Sequence, residues 1–292
     1  MAFENGVFTA PDLDPNHSGL FNIVKPENHN ATANDERWVR GYSQEFNAEP
    51  KNINNLDVTD NTSISVYTTS DKPERFIELD PFYIEVEDLD STFGLLGQDR
   101  QDRVLKQLEA VSQKAVEKEL WDGGIAQGES LSNPYLTKAG TVTKINSGTA
   151  MSAALALAAL EQEARSASPT GEQPIIHMTA DVASVLGTKL QFDKENDMIV
   201  TRLGSKVVIG AGYSGNGPVG DAGATASITN KWIYATGAMA IHLGAPEVVN
   251  DSLAQGYDVS GNANDMRIKA FRTASVLFDT SIHHAVRVDL SA

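Results

Sequence analysis

Residues 98–121 read QDRQDRVLKQLEAVSQKAVEKELW, the clearest helix in the chain. Val104, Leu105, Leu108, Val111, Ala115 and Val116 recur at i, i+3, i+4 and i+7, with Gln, Lys and Glu on the other face. Asp99 and Asp102 stand near its start and Lys114 and Lys118 towards its end, as the helix dipole favours. Gly123-Gly124 stops it. At about 1.5 Å per residue this predicts a rod of roughly 36 Å.

Downstream of the rod, a second helix is predicted from about Thr149 to Arg165, alanine-rich on nearly every side and therefore expected to pack closely in a core. From Gln173 onward the chain turns mainly to short strands. Pro174–Met178 is one, and a short helix is expected over Asp181–Leu186. Met198–Leu203 and Lys206–Gly210 predict a hairpin across Gly204-Ser205, and Trp232–Thr236 and Met239–Leu243 follow. Arg272–Phe278 with His284–Leu290 is read as the last strand pair. No internal repeat is found at any period.

Upstream, residues 36–90 read as two strands around a long polar excursion. Trp38, Arg40 and Tyr42 alternate with Val39, Gly41 and Ser43; Phe82, Ile84 and Val86 alternate with Tyr83, Glu85 and Glu87. The stretch between, Asn47 to Leu79, is rich in Asn, Asp, Thr and Ser, with one strand-like piece at Ser63–Thr69. So long an excursion with little to bury is unusual inside a compact domain and predicts a protruding two-stranded loop resting on other molecules. Trp38, Arg40, Tyr42, Glu85 and Glu87 are its candidate assembly contacts, the aromatic pair as buried anchors and the charges setting register. Residues 1–35 carry Pro11, Pro15 and Pro26 and six asparagines, with no helical period. They read as an extended arm laid on a neighbouring subunit, with an arm folded back on its own domain as the alternative, so removal of residues 1–30 is expected to leave the core folded and to weaken assembly.

Several chemistries are weighed against this sequence. Val207-Val208-Ile209-Gly210-Ala211-Gly212-Tyr213-Ser214-Gly215 matches G-x-G-x-x-G after an apolar strand, the pattern that cradles a dinucleotide pyrophosphate at a helix N-terminus. The context fails, because Pro218 and Gly217, Gly220 and Gly223 stand where a helix must begin, and Asn230-Lys231-Trp232 stands where an acidic residue is expected. The segment reads as a flexible glycine-rich loop. The six histidines, His17, His29, His177, His242, His283 and His284, include no pair at metal-binding spacing. His177 and His242 lie in apolar strands as core histidines, and His283 and His284 are adjacent and so face opposite sides of a strand. The carboxylates Glu85, Glu87, Asp88 and Asp90 read as a solvated face. No nucleophile elbow or P-loop is present. No catalytic, cofactor-binding or metal-binding residue is assigned.

Composition narrows the classes further. The 292 residues are 41% apolar, enough for a core, and 39 Asp plus Glu against 23 Lys plus Arg give a net charge of −16. An acidic chain is a poor wrapper of DNA and a poor ligand of anionic lipid. There is no cysteine, hence no disulfide and no thiolate chemistry. Met1-Ala2-Phe3-Glu4-Asn5-Gly6 has neither a basic nor an apolar signal region, and the longest apolar run, Ala150–Leu160 with Ser152 inside it, is too short to span a bilayer. A soluble protein made in a cytoplasm is expected.

The order of elements carries a resemblance. An arm precedes a long two-stranded loop, a spine helix (Gln98–Trp121), a helix-and-strand domain, and a return through Phe271-Arg272-Thr273-Ala274-Ser275-Val276-Leu277-Phe278-Asp279 to a closing strand. Ser132-Asn133-Pro134-Tyr135-Leu136, Ile175-Ile176-His177-Met178-Thr179 and Trp232-Ile233-Tyr234-Ala235-Thr236-Gly237 leading to Glu247-Val248 add to it. In these the chain resembles the major capsid (head) protein of tailed double-stranded DNA phages, the Hong Kong 97-like fold, and is similar to head proteins of phages that infect actinobacteria.

The resemblance implies an α+β fold with an N-arm (1–35), a two-stranded E-loop (36–91), a P-domain (92–145 and 255–292) with the spine helix, and a mixed A-domain (146–254). The glycine-rich loop at 210–223 would lie in the A-domain. It implies a homo-oligomer of hexamers and pentamers forming an icosahedral shell, with a separate scaffolding protein, a portal and a decoration protein as partners. The shell would enclose double-stranded DNA without sequence-specific binding, in a virion assembled in the host cytoplasm, with no cofactor and no membrane. No long scaffolding segment fits before the E-loop. Lys51 and Lys72 stand where some relatives form Lys–Asn cross-links. The negative charge suits a container that must not grip its DNA, and many modest interfaces would hold the shell together. Two alternatives stay open: an encapsulin-type nanocompartment shell of the same fold, and a dinucleotide-binding oxidoreductase resting on Gly210–Gly215 alone.

Overall fold

The computed structural model describes residues 18–29, 42–45, 76–91, 97–168, 172–250 and 265–291. Its spine is helix α2 (Gly97–Asp122), about 39 Å at the usual rise. Val104, Leu108, Val116, Leu120 and Trp121 make its fully buried stripe, with Leu105 and Ala115 packed beside it, whereas Val111 of the predicted stripe is exposed. The helix stops at Gly123, whose φ of +59° is left-handed and whose Cβ position would fall 2.3 Å from the Tyr135 ring. Only glycine meets both demands.

Two sheets flank this rod. The first contains β1 (Glu27–His29), β4 (Phe82–Ser91), β12 (Met239–Gly244), β13 (Glu247–Asn250) and β14 (Asp265–Phe278). β14 is its centre. It pairs antiparallel with β4 on one side and with β12 and β13 in succession on the other. α2 packs across β14 and β4. The second sheet runs β5-β15-β11-β7-β10-β9-β8, with β6 beside β15. These are β5 (Thr143–Lys144), β6 (Met151–Ser152), β7 (Ile175–Met178), β8 (Leu190–Asp193), β9 (Met198–Thr201), β10 (Lys206–Ile209), β11 (Asn230–Thr236) and β15 (His283–Asp289). A separate two-stranded ribbon joins β2 (Tyr42–Glu45) to β3 (Phe76–Leu79).

The central strands of the second sheet are buried on both faces, and their side chains alternate accordingly. Ile175, Val208, Trp232, Tyr234 and Ala285 join the α2 core. Ile176, Val207, Ile233, Ala235 and Val286 join a second core under α4 (Ala153–Ala167) and α5 (Ala180–Leu186). The predicted β9–β10 hairpin, the second helix (Ala153–Ala167) and the short helix (Ala180–Leu186) are present within a few residues of the expected bounds.

Five expectations are corrected by the packing. First, β14 and β15 do not pair with each other: they lie in different sheets. β11 and β12 on one side, and β14 and β15 on the other, form one long antiparallel ribbon that changes sheet at residues 237–238 and 279–282. Gly237 N–H donates to Ile282 C=O at 3.2 Å and Asp279 N–H to Ala238 C=O at 2.8 Å across this corner. Two residues opposite four make a bulge, and bulges turn strands from one sheet to another.

Second, residues 18–29 of the arm lie on their own subunit. The short helix α1 (Leu20–Ile23) buries Leu20 and Ile23 against α2 and β10, Ile209 N–H donates to Ser18 C=O at 2.8 Å, and β1 adds to β12 in parallel. The short apolar cluster Leu20-Phe21-Asn22-Ile23-Val24 docks it, with Phe21 and Val24 packed beside the two buried side chains.

Third, the described strand β2 pairs with β3 and not with β4. β4 pairs instead with β14 from Phe82 to Ser91, burying Phe82 and Ile84 in the main core. Fourth, the glycine-rich loop is pinned rather than flexible, as shown below. Fifth, α4 buries Ala153, Ala156, Leu157, Leu160 and Ala164 but leaves Ala154, Leu155 and Ala158 exposed, so it is not packed on every side. Strands β12 and β13 sit in the sheet that α2 crosses, and β15 sits in the other.

Candidate functional site

The glycine-rich stretch is the natural place to look for chemistry, and its geometry answers for it. β10 ends at Ile209, and no helix begins anywhere in 210–229. The loop instead lies along α2. A Cβ on Gly212 would fall 2.4 Å from the Lys114 carbonyl oxygen and 2.8 Å from the Lys118 nitrogen, so backbone presses on backbone there. Glu117, fully buried on α2, joins the parts: Oε2 accepts from Gly212 N–H and Oε1 from Leu20 N–H, each at 3.0 Å. Burial raises its pKa, while these amides and Gln113 pull it back. Trp121 Nε1–H and Tyr234 O–H both donate to Asn216 C=O at 3.1 Å, and Trp232 Nε1–H donates to Gly223 C=O at 3.0 Å. The glycines let the loop wrap three aromatic side chains and the spine. They leave no nucleotide cradle of the expected kind.

The histidines sit in the same core. His177 is fully buried, its Nδ1 2.9 Å from the Tyr213 hydroxyl and its Nε2 2.9 Å from the Thr236 hydroxyl. Burial first, then the nearby His283, pushes its pKa down to about 3. His283 lies 3.0 Å from Leu136 C=O through Nε2, and burial brings it to about 4. Burial also lowers His284, on the opposite face. His177 and His283 are packing and hydrogen-bonding groups of the core. Among the described residues no cluster of His, Asp and Glu could hold a metal ion, and no helix is long and apolar enough to cross a membrane.

Of the sequence-predicted contact residues, Trp38 and Arg40 lie outside the described residues, as do Lys51 and Lys72. Tyr42 opens β2, opposite Leu79. Glu85 and Glu87 are on the outer face of β4, in the other sheet, so Tyr42 and the two glutamates do not share a ribbon. Glu85 pairs with Lys269 Nζ at 2.6 Å, and Glu87 stands opposite Lys269 in register. Beside them Tyr83 meets the Phe271 ring edge-on, centroids 6.2 Å apart. The face is therefore tied within its own sheet, which alternation alone could not show.

A residue the sequence reading did not single out for a role is Asn133. Its side chain accepts from Asp80 N–H at 2.8 Å and donates to Asp80 C=O at 2.7 Å, clasping the turn between β3 and β4 to the segment after the spine. Glu119 is a second such residue. Its carboxylate accepts from the N–H groups of Ile125 and Ala126, each at 2.9 Å, and so caps the short helix α3 (Gly124–Gly128).

No known family profile matches the sequence, and no curated protein matches it. Solved structures do match along nearly the whole chain. The capsid of an empty GTA particle aligns over 96% of this chain and 100% of its own at 12% identity, TM-score 0.53. The chain has the fold of a capsid subunit. The capsid of Ralstonia phage GP4 aligns over 99% and 97% at 10% identity, TM-score 0.50. The SrpI encapsulin of Synechococcus elongatus aligns over 99% and 94% at 9% identity, TM-score 0.54.

Proposed function

We propose that this chain is the major capsid protein of a tailed phage, a structural subunit that self-assembles into an icosahedral shell around double-stranded DNA. The observation that carries this is the end-to-end likeness to capsid subunits, with neither chain left with a large unmatched part. On this reading the chain works by packing, without a catalytic step, and its home is the virion. Residues 1–35 serve as the N-arm, with 18–29 as its docked root; 36–91 form the E-loop; the spine helix organises the P-domain and α4 and α5 the A-domain. Hexamers and pentamers of the chain, a scaffolding protein, a portal and a decoration protein are the partners. The net charge of −16 suits storage of DNA without tight binding.

The test is assembly. Purified protein, alone and with scaffold supplied, is followed by light scattering and negative-stain microscopy; closed shells are expected, and only monomers or dimers under all conditions would overturn the proposal. Within the E-loop, Trp38→Ala should lower shell yield on gradient sedimentation more than Arg40→Ala. Aromatic burial anchors interfaces, whereas exposed ion pairs contribute only about 0–1 kcal/mol each. Equal yields, or a worse defect for Arg40→Ala, would refute that ranking.

An encapsulin-type shell is the second reading, favoured by the SrpI likeness. Particles carrying nucleic acid support a phage head; particles carrying a protein cargo and no nucleic acid support the nanocompartment.

A further inference from the structure

The hairpin between β9 and β10 collects cations in a chain that is otherwise acidic. Thr201 N–H donates to Ser205 C=O at 2.9 Å and Gly204 N–H to Thr201 C=O at 3.0 Å, so Arg202, Leu203 and Gly204 form a fixed tip and Lys206 opens the returning strand. Arg165, in the last turn of α4, donates through Nη2 to Leu203 C=O at 3.0 Å, and Gln173 donates to the same oxygen at 3.2 Å. Arg202 Nε donates to Thr188 C=O at 3.2 Å, which sets Lys189 beside the tip. Leu190, the next residue, stands opposite Thr201 in register. Arg165, Lys189, Arg202 and Lys206 therefore lie around one hairpin tip, whose apex residue Leu203 is 57% exposed.

These cations are not neutralised within the subunit. Among the described residues Arg165 and Arg202 donate only to backbone carbonyls, and Lys189 and Lys206 make no ion pair. Glu161, one turn before Arg165, is buried and accepts from the Thr201 hydroxyl at 2.6 Å. Glu172, exposed beside Gln173, pairs with none of the four. Asp193, Glu195 and Asp197 belong to the far end of the β8–β9 hairpin, about 10 Å along the strands. Four cations thus stand together unpaired in a chain with 39 Asp and Glu against 23 Lys and Arg. Each copy carries −16, so any neighbouring copy presents mostly carboxylates. An apolar residue within a charged rim is the anatomy of a protein interface, whereas a phosphate backbone offers Leu203 nothing. Two copies meeting tip to tip about a two-fold axis would set cation against cation, so the contact is head to tail, the kind that closes into rings.

We propose that this basic hairpin end docks head to tail on an acidic surface of a second copy of this chain, with Leu203 at the centre of the contact and the four cations at its rim. This rests on the shell reading and deepens it. Carbodiimide treatment of shells built from an equal mixture of normal and heavy-isotope subunits tests it, because that reagent joins a lysine directly to a paired carboxylate. Mass spectrometry should find Lys189 or Lys206 joined to an Asp or Glu of another copy, and free subunits should lack the link. Arg202→Glu combined with Lys206→Glu, both at exposed positions, should cut assembly about tenfold per contact while the free subunit melts as wild type. Arg202→Lys should assemble normally. Shells that form without such a link, or at wild-type yield from the charge-reversed chain, overturn this contact and leave the shell reading standing. Charge-reversed shells of normal yield that hold less nucleic acid assign the patch to nucleic acid and overturn it too. A wild-type chain that never assembles removes both the contact and the shell reading.

Discussion

Replacing Leu20 by alanine tests the docking of the arm root. Leu20 has no exposed surface and lies in the main core with Val116 and Val208. Removing its branched end leaves a cavity between α2 and β10, which rigid neighbours on a helix and a doubly buried sheet cannot close. Leu→Ala at such sites costs about 2–5 kcal/mol. For a large domain each kcal/mol moves the melting midpoint by about 2–4 °C, so a drop of roughly 5–15 °C is expected. The assay is thermal or urea unfolding of the unassembled subunit by circular dichroism, since assembly would mask the loss by mass action. Deleting residues 1–30 should be worse, because Ile23, the β1 pairing and the Leu20 N–H bond to buried Glu117 go as well. A Leu20→Ala midpoint within about 1 °C of wild type, or a truncated chain of undiminished stability, would refute the claim that the arm root belongs to the subunit core.

The glycine loop and the buried histidines give two further expectations. Gly212→Ala forces its new methyl against the α2 backbone and should lower stability by about 1–3 kcal/mol. Gly128→Ala, whose Cβ meets nothing within 4 Å, should be neutral or slightly favourable in urea titrations; equal effects would mean the loop does not press on the helix. His177 and His283 have folded pKa values of about 3 and about 4, below the ordinary 6.5. Between those values and 6.5 the unfolded chain binds more protons, so stability should fall as pH drops through that window, by up to about 1.4 kcal/mol per pH unit per histidine. Glu117, with a raised pKa, acts in the opposite sense, losing stability as pH rises through its folded value. The urea midpoint should therefore be lower at pH 5 than at pH 7, with a shallower slope for His177→Gln; parallel slopes would show that the imidazole does not titrate in this way.

The sequence by itself determined the elements whose signals are local. The α2 stripe, the short helix at 180–186, the hairpin across Gly204-Ser205 and the alternation of β4 all depend on residues a turn or a pleat apart, and they stand where the periodicity put them. The absence of a helix after Gly215 was legible too, because Pro and repeated Gly oppose one whatever surrounds them. Partnership was not legible. β4 and β14 are some 180 residues apart in sequence, as the Glu85–Lys269 pair shows, and nothing in either strand names the other. The same holds for β14 and β15, whose short connection looks like a hairpin but turns a corner between sheets. Glu117 is the sharpest case. Among the Glu and Lys residues of α2 it looks like one more solvated carboxylate, and only Leu20 and Gly212, brought in by the arm and the loop, make it buried and bonded. Periodicity records which face of an element shuns water. Which distant surface covers that face is decided by shape, and by whether every buried polar group finds a partner in the assembled core.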